Sequence, residues 1–97
     1  MDKEEIKVKL LSETAKVSWQ ELEKFFAKGV VLQVSNTLDL VAVATQVACD
    51  DSQAVTKLMQ AEELIELSVK QAKVWSKSDD GLWAVVVSPW ILVQQRN

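Results

Sequence analysis

Two pairs of adjacent aspartates, Asp50–Asp51 and Asp79–Asp80, and a single cysteine, Cys49, are the side chains whose types and spacing could do chemistry. A carboxylate pair can hold a hard cation, or divide the roles of acid and base. Aspartate also satisfies backbone N–H groups at helix starts and in turns. Asp50–Asp51 precede Ser52 and an apolar-periodic run, and Asp79–Asp80 precede Gly81, so capping and turn formation are the preferred reading of both pairs. A glycosidase-like pair is open on residue types, although so short a chain leaves little room for a sugar cleft. Cys49 could be a nucleophile or a redox sensor, but the two acids beside it oppose the thiolate such chemistry needs. It is expected to be a small buried apolar residue.

The chain has no histidine and no tyrosine. Ser-His-Asp and Cys-His catalysis within one chain are therefore excluded, as are most zinc sites, which need three or four His or Cys ligands. Its two isolated glycines cannot build a phosphate-binding loop. No residue is assigned a catalytic, cofactor-binding or metal-binding role, and no cofactor is expected.

Charge points the same way. Residues 1–28 balance six lysines against six acids. Residues 29–66 set only Lys57 against Asp39, Asp50, Asp51, Glu62, Glu63 and Glu66, while residues 67–97 carry a small positive excess. No basic stripe offsets the acidic middle, so nucleic acid is not an expected partner. The longest uncharged run, Gly81 to Gln95, is too short for the roughly 20 residues of a membrane-spanning helix. A charged N-terminus and one unpaired cysteine predict a cytoplasmic protein without a membrane partner.

The positioning elements follow from periodicity and caps. Residues 2–12 read as a helix with Ile6, Leu10 and Leu11 on its apolar side. Ser18-Trp19-Gln20-Glu21 is a capping box, and its helix presents Trp19, Leu22, Phe25 and Phe26 on one face before ending at Gly29. Val30 to Val34 is a short β-branched strand. Leu38 to Cys49 is ambiguous: its valines favour a strand, its alanines and length a helix. Helix is preferred, with Asp39 in its first turn. A helix with Ala54, Val55, Leu58 and Met59 on its apolar side follows, then a strand over Leu64 to Leu67. Ser68 caps a further helix burying Val69, Ala72 and Trp75.

Leu82 to Gln95 is the most β-prone stretch. Leu82 to Val87 is apolar at every position, as in a strand covered on both faces. Alternation puts Trp83, Val85 and Val87 on one face and Ala84 and Val86 on the other. Pro89 separates this run from Trp90 to Gln94. Proline cannot supply the positive φ of the common two-residue hairpins, so a wider turn, or a bend in an edge strand, is expected. Trp83, Pro89, Trp90 and Leu92 form the candidate interaction surface, because tryptophan is enriched at contact hot spots. The alternative is that both tryptophans close the core.

The strings Glu13-Thr14-Ala15-Lys16-Val17-Ser18-Trp19-Gln20-Glu21-Leu22, Phe25-Phe26-Ala27-Lys28-Gly29-Val30-Val31 and Leu82 to Trp90, followed by Leu92-Val93-Gln94, resemble a family of small bacterial proteins known as domain of unknown function 2288. The resemblance covers nearly the whole chain. It implies a free-standing bacterial cytosolic protein of about this length, with no activity and no site residue attached. Cys49 lies outside its pattern.

Together these readings predict a single α+β domain over residues 1–97. A three- or four-stranded, mainly antiparallel sheet would carry four to five helices packed mostly on one face. The expected function is a non-enzymatic protein–protein interaction or homodimerising module, self-associating through the C-terminal strands. The alternative is a small-molecule-binding or carboxylate-based enzymatic domain. A further option is contact with a basic partner through the acidic middle.

Overall fold

The structure is a computed structural model that describes residues 2–96. Among these, five helices each begin at a side chain that accepts a hydrogen bond from a first-turn N–H. Asp2 caps α1 (Lys3–Glu13), Ser18 caps α2 (Trp19–Ala27) and Asp39 caps α3 (Leu40–Ala48). Asp51 caps α4 (Ser52–Gln60) and Ser68 caps α5 (Val69–Lys77). The capping box of α2 is complete: Ser18 Oγ accepts from the Glu21 N–H at 3.2 Å, and Glu21 Oε1 accepts from the Ser18 N–H at 3.1 Å. The ambiguous segment is helical. Asp39 Oδ1 takes the N–H groups of Val41 and Ala42, and burial of Leu40, Val41, Val43 and Ala44 outweighs the strand preference of the valines.

Three helices end alike. After α2, α3 and α4 the chain turns through a left-handed residue, Gly29, Asp50 or Glu62, whose N–H and that of the next residue bond back to the last helical turn. Glycine is the usual occupant, because a side chain in this conformation costs roughly 1–2 kcal/mol. Asp50 and Glu62 carry that cost.

The sheet has five strands in the order β1-β4-β5-β2-β3. They are β1 (Ala15–Lys16), β2 (Val31–Val34), β3 (Leu64–Glu66), β4 (Leu82–Val87) and β5 (Trp90–Gln95). All neighbours are antiparallel except β2 and β5, which run parallel with Val31 opposite Ile91 and Gln33 opposite Val93. The expectation of three or four mainly antiparallel strands is corrected to five in a mixed sheet. Two-residue β1 is too short to show any alternation, and parallel pairing joins segments far apart in sequence. The turn at Pro89 is also corrected. β4 and β5 form a tight hairpin with Val87 opposite Trp90, closed by Ser88 and Pro89 across a cis peptide bond, which places proline at the third position of the turn. The pair lies inside the sheet, not at its edge.

Helices cover both faces, not mostly one. On the first face Leu32, Val34, Leu64, Val85 and Leu92 pack with Leu10 of α1 and with Leu40, Val41 and Ala44 of α3, while α4 adds Val55 and Leu58. On the second face Val31, Leu82, Ala84, Ile91 and Val93 pack with Leu22 of α2 and with Ala72 and Trp75 of α5. The alternation expected along β4 holds, with Trp83, Val85 and Val87 on the first face. Each fully buried leucine or valine contributes about 1.5–3 kcal/mol relative to exposure. Leu11 and Met59, expected on apolar sides, are exposed, and so is Val69, expected to be buried with Ala72 and Trp75; Val8 and Val74 are exposed as well.

Two contacts lock the ends of the hairpin. Gln94, only 2 % exposed, donates from Nε2 to the carbonyls of Ser35 (2.8 Å) and Leu38 (2.7 Å). Its Oε1 accepts from Arg96 Nε at 3.0 Å, so the amide ties β5 to the link between β2 and α3. Gly81 has φ +77°, and its carbonyl accepts from the Arg96 N–H at 2.7 Å. A side-chain carbon there would overlap the Arg96 carbonyl oxygen.

Urea denaturation should find Gln94→Leu less stable by about 2–3 kcal/mol, since two carbonyls lose their donor. A loss under about 0.5 kcal/mol would refute this role. Gly29→Ala should cost about 1 kcal/mol, because only its positive φ objects and the nearest atom is 3.9 Å away. Gly81→Ala should cost clearly more, and equal losses would show that the Arg96 contact does not matter.

Candidate functional site

The structure separates the four residues expected to form one surface. Leu92 is fully buried between α3 and the sheet, so it belongs to the core and cannot meet a partner. Trp83 pairs with Gln94 and Trp90 with Val87, so the two tryptophans stand at opposite ends of the hairpin, about 13 Å apart by strand rise. Trp83 is half-buried and carries two cations. Arg96 Cζ is 5.0 Å and Lys16 Nζ 5.7 Å from its ring centroid, within the range of cation–π attraction. Its remaining surface is therefore largely occupied by the chain itself.

Trp90 and Pro89 do share a site. The hairpin turn, Val87 to Trp90, forms one wall of a groove of about 640 Å³. Val47 and Ala48, at the end of α3, form the second wall. Ser52, Val55 and Thr56, on the first two turns of α4, form the third. The left-handed Asp50 makes this possible, since its turn ends α3 abruptly and swings α4 away. Trp90, Val87, Val47 and Val55 are half-buried, and Pro89 is exposed. Hydroxyls of Ser52, Thr56 and Ser88 stand among them, and Asp50 is the single charged lining residue. The site is thus an apolar floor with hydroxyls and one negative charge at its rim. Such a groove can take up an apolar group, and it has no general acid–base pair.

The profile of DUF2288, described as a protein of unknown function, matches residues 5–95. The chain belongs to this family. An NMR solution structure of PA1075 from Pseudomonas aeruginosa is 44 % identical to it, with a TM-score of 0.84 over 95 % of this chain and 85 % of that one. No curated protein matches it significantly. Membership thus brings a fold and no assigned activity, and the chemistry has to be read from this member of the family.

In this DUF2288 chain four of the six aspartates, Asp2, Asp39, Asp51 and Asp79, accept from backbone N–H groups. Asp51 Oδ1 caps α4 through the Ala54 N–H at 3.2 Å, as expected. Asp50, expected beside it as a second cap, instead closes α3. Asp79 does more than start a turn: its Oδ2 accepts from the Trp19 N–H at 2.7 Å, a contact 60 residues away in sequence. That places a carboxylate at the positive end of α2. Among the described residues no three of His, Cys, Asp and Glu are grouped to hold a metal ion, and none of five surface clefts is lined by more than one carboxylate. Cys49, expected to be buried, is exposed at the C-cap of α3. No described helix is long and apolar enough to cross a membrane.

Sequence reasoning missed Val47, Val55 and Val87 as groove residues. Their helical or strand periodicity marks them as apolar, which is what a core position also looks like. Asp50 gave no signal, because its conformation is imposed by the helix end.

Leu92→Ala should lower stability by about 2–5 kcal/mol in chemical denaturation. Trp90→Ala, half-exposed at the groove, should cost less than Leu92→Ala. Equal losses would place Trp90 in the core. Asp79→Ala should cost about 1–2 kcal/mol, whereas Asp39→Asn, which keeps its accepting oxygen, should cost only a few tenths. Indistinguishable effects of the two would deny Asp79 its long-range cap.

Proposed function

We propose that the protein is a cytoplasmic, non-enzymatic interaction module that receives an apolar segment of a partner protein in the groove at Trp90. The observation that carries this reading is the junction of an exposed Pro89 and a half-buried Trp90 with Val47, Val55 and Val87 in one concave site. Tryptophan in such surroundings offers a large apolar contact at little entropic cost, and its N–H remains able to find a partner. The carboxylates favour the same reading, since Asp2, Asp39, Asp51 and Asp79 are engaged with helix N–H groups and none of the five clefts described pairs two carboxylates. A lone exposed thiol fits a reducing compartment.

A different protein is favoured over a second copy. Self-association through the C-terminal strands, the expectation from sequence, requires an apolar face of these strands that the chain itself leaves uncovered. α1, α3 and α4 cover one and α2 and α5 the other, and both strands already have neighbours on each side. The edge strands β1 and β3 are two and three residues long, which makes poor templates for pairing. Charge complementarity specifies the partner further. With Asp50 at the rim and no cation lining the groove, the segment that fits carries a bulky apolar residue beside a lysine or arginine.

A displayed library of random short peptides, selected on the wild-type protein, should yield sequences of that kind. They should shift the amide resonances of Val47 and Val55 and the Trp90 indole signal, and Trp90→Ala, shown folded by its spectrum, should lose them. Peptides that bind Trp90→Ala equally well, or shift resonances elsewhere, would overturn the reading. So would a dimer in sedimentation that Trp90→Ala dissociates, because the groove's occupant would then be a second copy.

A further inference from the structure

The second face of the sheet changes character at one end. Val31, Ile91 and Val93 are buried beneath α2 and α5, but the next positions on that face are Gln33 and Gln95. Gln33 lies inside the sheet, with Val93 beside it on β5 and Ile65 on β3. Two glutamines here interrupt an otherwise apolar surface. Gln71, in the first turn of α5, faces them across a cleft of about 320 Å³, and Asn36, Glu62 and Ile65 complete its walls.

The topology explains the opening. β2 and β5 are the parallel pair, and the cleft lies at their carboxyl ends. After β2 the chain passes to α3 on the first face, so nothing in the connection roofs the second face at that point. Crevices outside the carboxyl ends of parallel strands are a common location for ligands in α/β sheets.

The chemistry of the lining is specific. A primary amide presents a donor and an acceptor side by side. Among the described residues, the side-chain amides of Gln33, Asn36 and Gln71 have no hydrogen-bond partner in the protein. Gln95 has one, accepting from Trp75 Nε1 at 3.4 Å, which leaves its own NH₂ free to donate. Glu62 is the only charge, so an anion would be repelled. Ile65 supplies an apolar wall.

We infer that this cleft is a binding site for a small, flat, uncharged molecule bearing adjacent hydrogen-bond donor and acceptor groups, the pattern of a ureide or a pyrimidine base edge. Gln33 and Gln71 read that edge from the sheet and from the helix, and Ile65 packs on the flat face. The volume leaves ample room for one ring. The site is independent of the Trp90 groove, which lies on the other face and at the other end of the hairpin.

Cytosine, uracil and hydantoin, titrated separately into ¹⁵N-labelled protein with inorganic phosphate as the anionic control, test this directly. At least one of the three should shift the side-chain NH₂ signals of Gln33 and Gln71 in a saturable way, and phosphate should not. Gln33→Leu and Gln71→Ala, each shown folded by its spectrum, should bind about tenfold more weakly. Trp90→Ala should bind unchanged, which separates this site from the peptide groove. Absence of saturable shifts with all three probes, equal shifts with phosphate, or wild-type binding by both glutamine variants would overturn the inference.

Discussion

The hairpin of β4 and β5 is apolar on both faces, and the rest of the chain is arranged to cover it. Leu82, Ala84, Ile91 and Val93 look one way, and Val85 and Leu92 the other. Leaving either set in water would forfeit roughly 25 cal/mol for each square ångström of apolar surface, and a chain this short has little stability to spare. Helices therefore have to cross on both sides. The α2 and α5 connections close one face and α1, α3 and α4 the other, while one flanking strand on each side, β1 beside β4 and β2 beside β5, takes up backbone groups of the pair. Gln94 is the polar exception in this hairpin. It is buried because it satisfies two carbonyls where β2 turns toward α3.

The carboxylates illustrate how little catalytic material is left once folding has used what it needs. Four of the aspartates accept hydrogen bonds from helix N–H groups, and Asp50 holds a left-handed turn that glycine would occupy more easily. The conformational cost at Asp50 is borne where α3 ends and the groove beside Trp90 begins. The same turn at Glu62 ends α4 at the margin of the amide-lined cleft. Both concave sites thus owe their shape to helices that stop sharply, and each has a single negative charge at its edge.

Much of the architecture was legible in the sequence. The capping box at Ser18, the caps at Asp51 and Ser68, the glycine ending α2 and the alternation of faces along β4 are local patterns, each encoded within a few residues, whereas Asp39, expected in the first turn of α3, is its N-cap. Other readings failed because what decides them is not local. β1 is two residues long and exists only because β4 offers an edge. Parallel pairing of β2 with β5 joins positions 60 residues apart, such as Val31 and Ile91. Leu92 was grouped with Trp90 because strand periodicity shows which residues share a face, but not whether a helix lies over them. The spacing of Val47 and Val55 is that of ordinary apolar helix positions, but α3 and α4 diverge there and leave both half open.

The amino-acid sequence by itself determined the class of the protein: an α+β domain without histidine or tyrosine, whose helices start where capping side chains stand and whose C-terminal strands must be covered twice. It also determined family membership, through strings that span nearly the whole chain. Only the tertiary structure decided what lies beside what. It split the expected surface into a buried Leu92, a cation-covered Trp83 and an open Trp90. It sent Asp79 to the start of α2, and it gathered three glutamines into one cleft. The physical reason is that hydrogen-bonding and periodic preferences act over a few residues, whereas burial and concavity depend on which distant elements happen to cross.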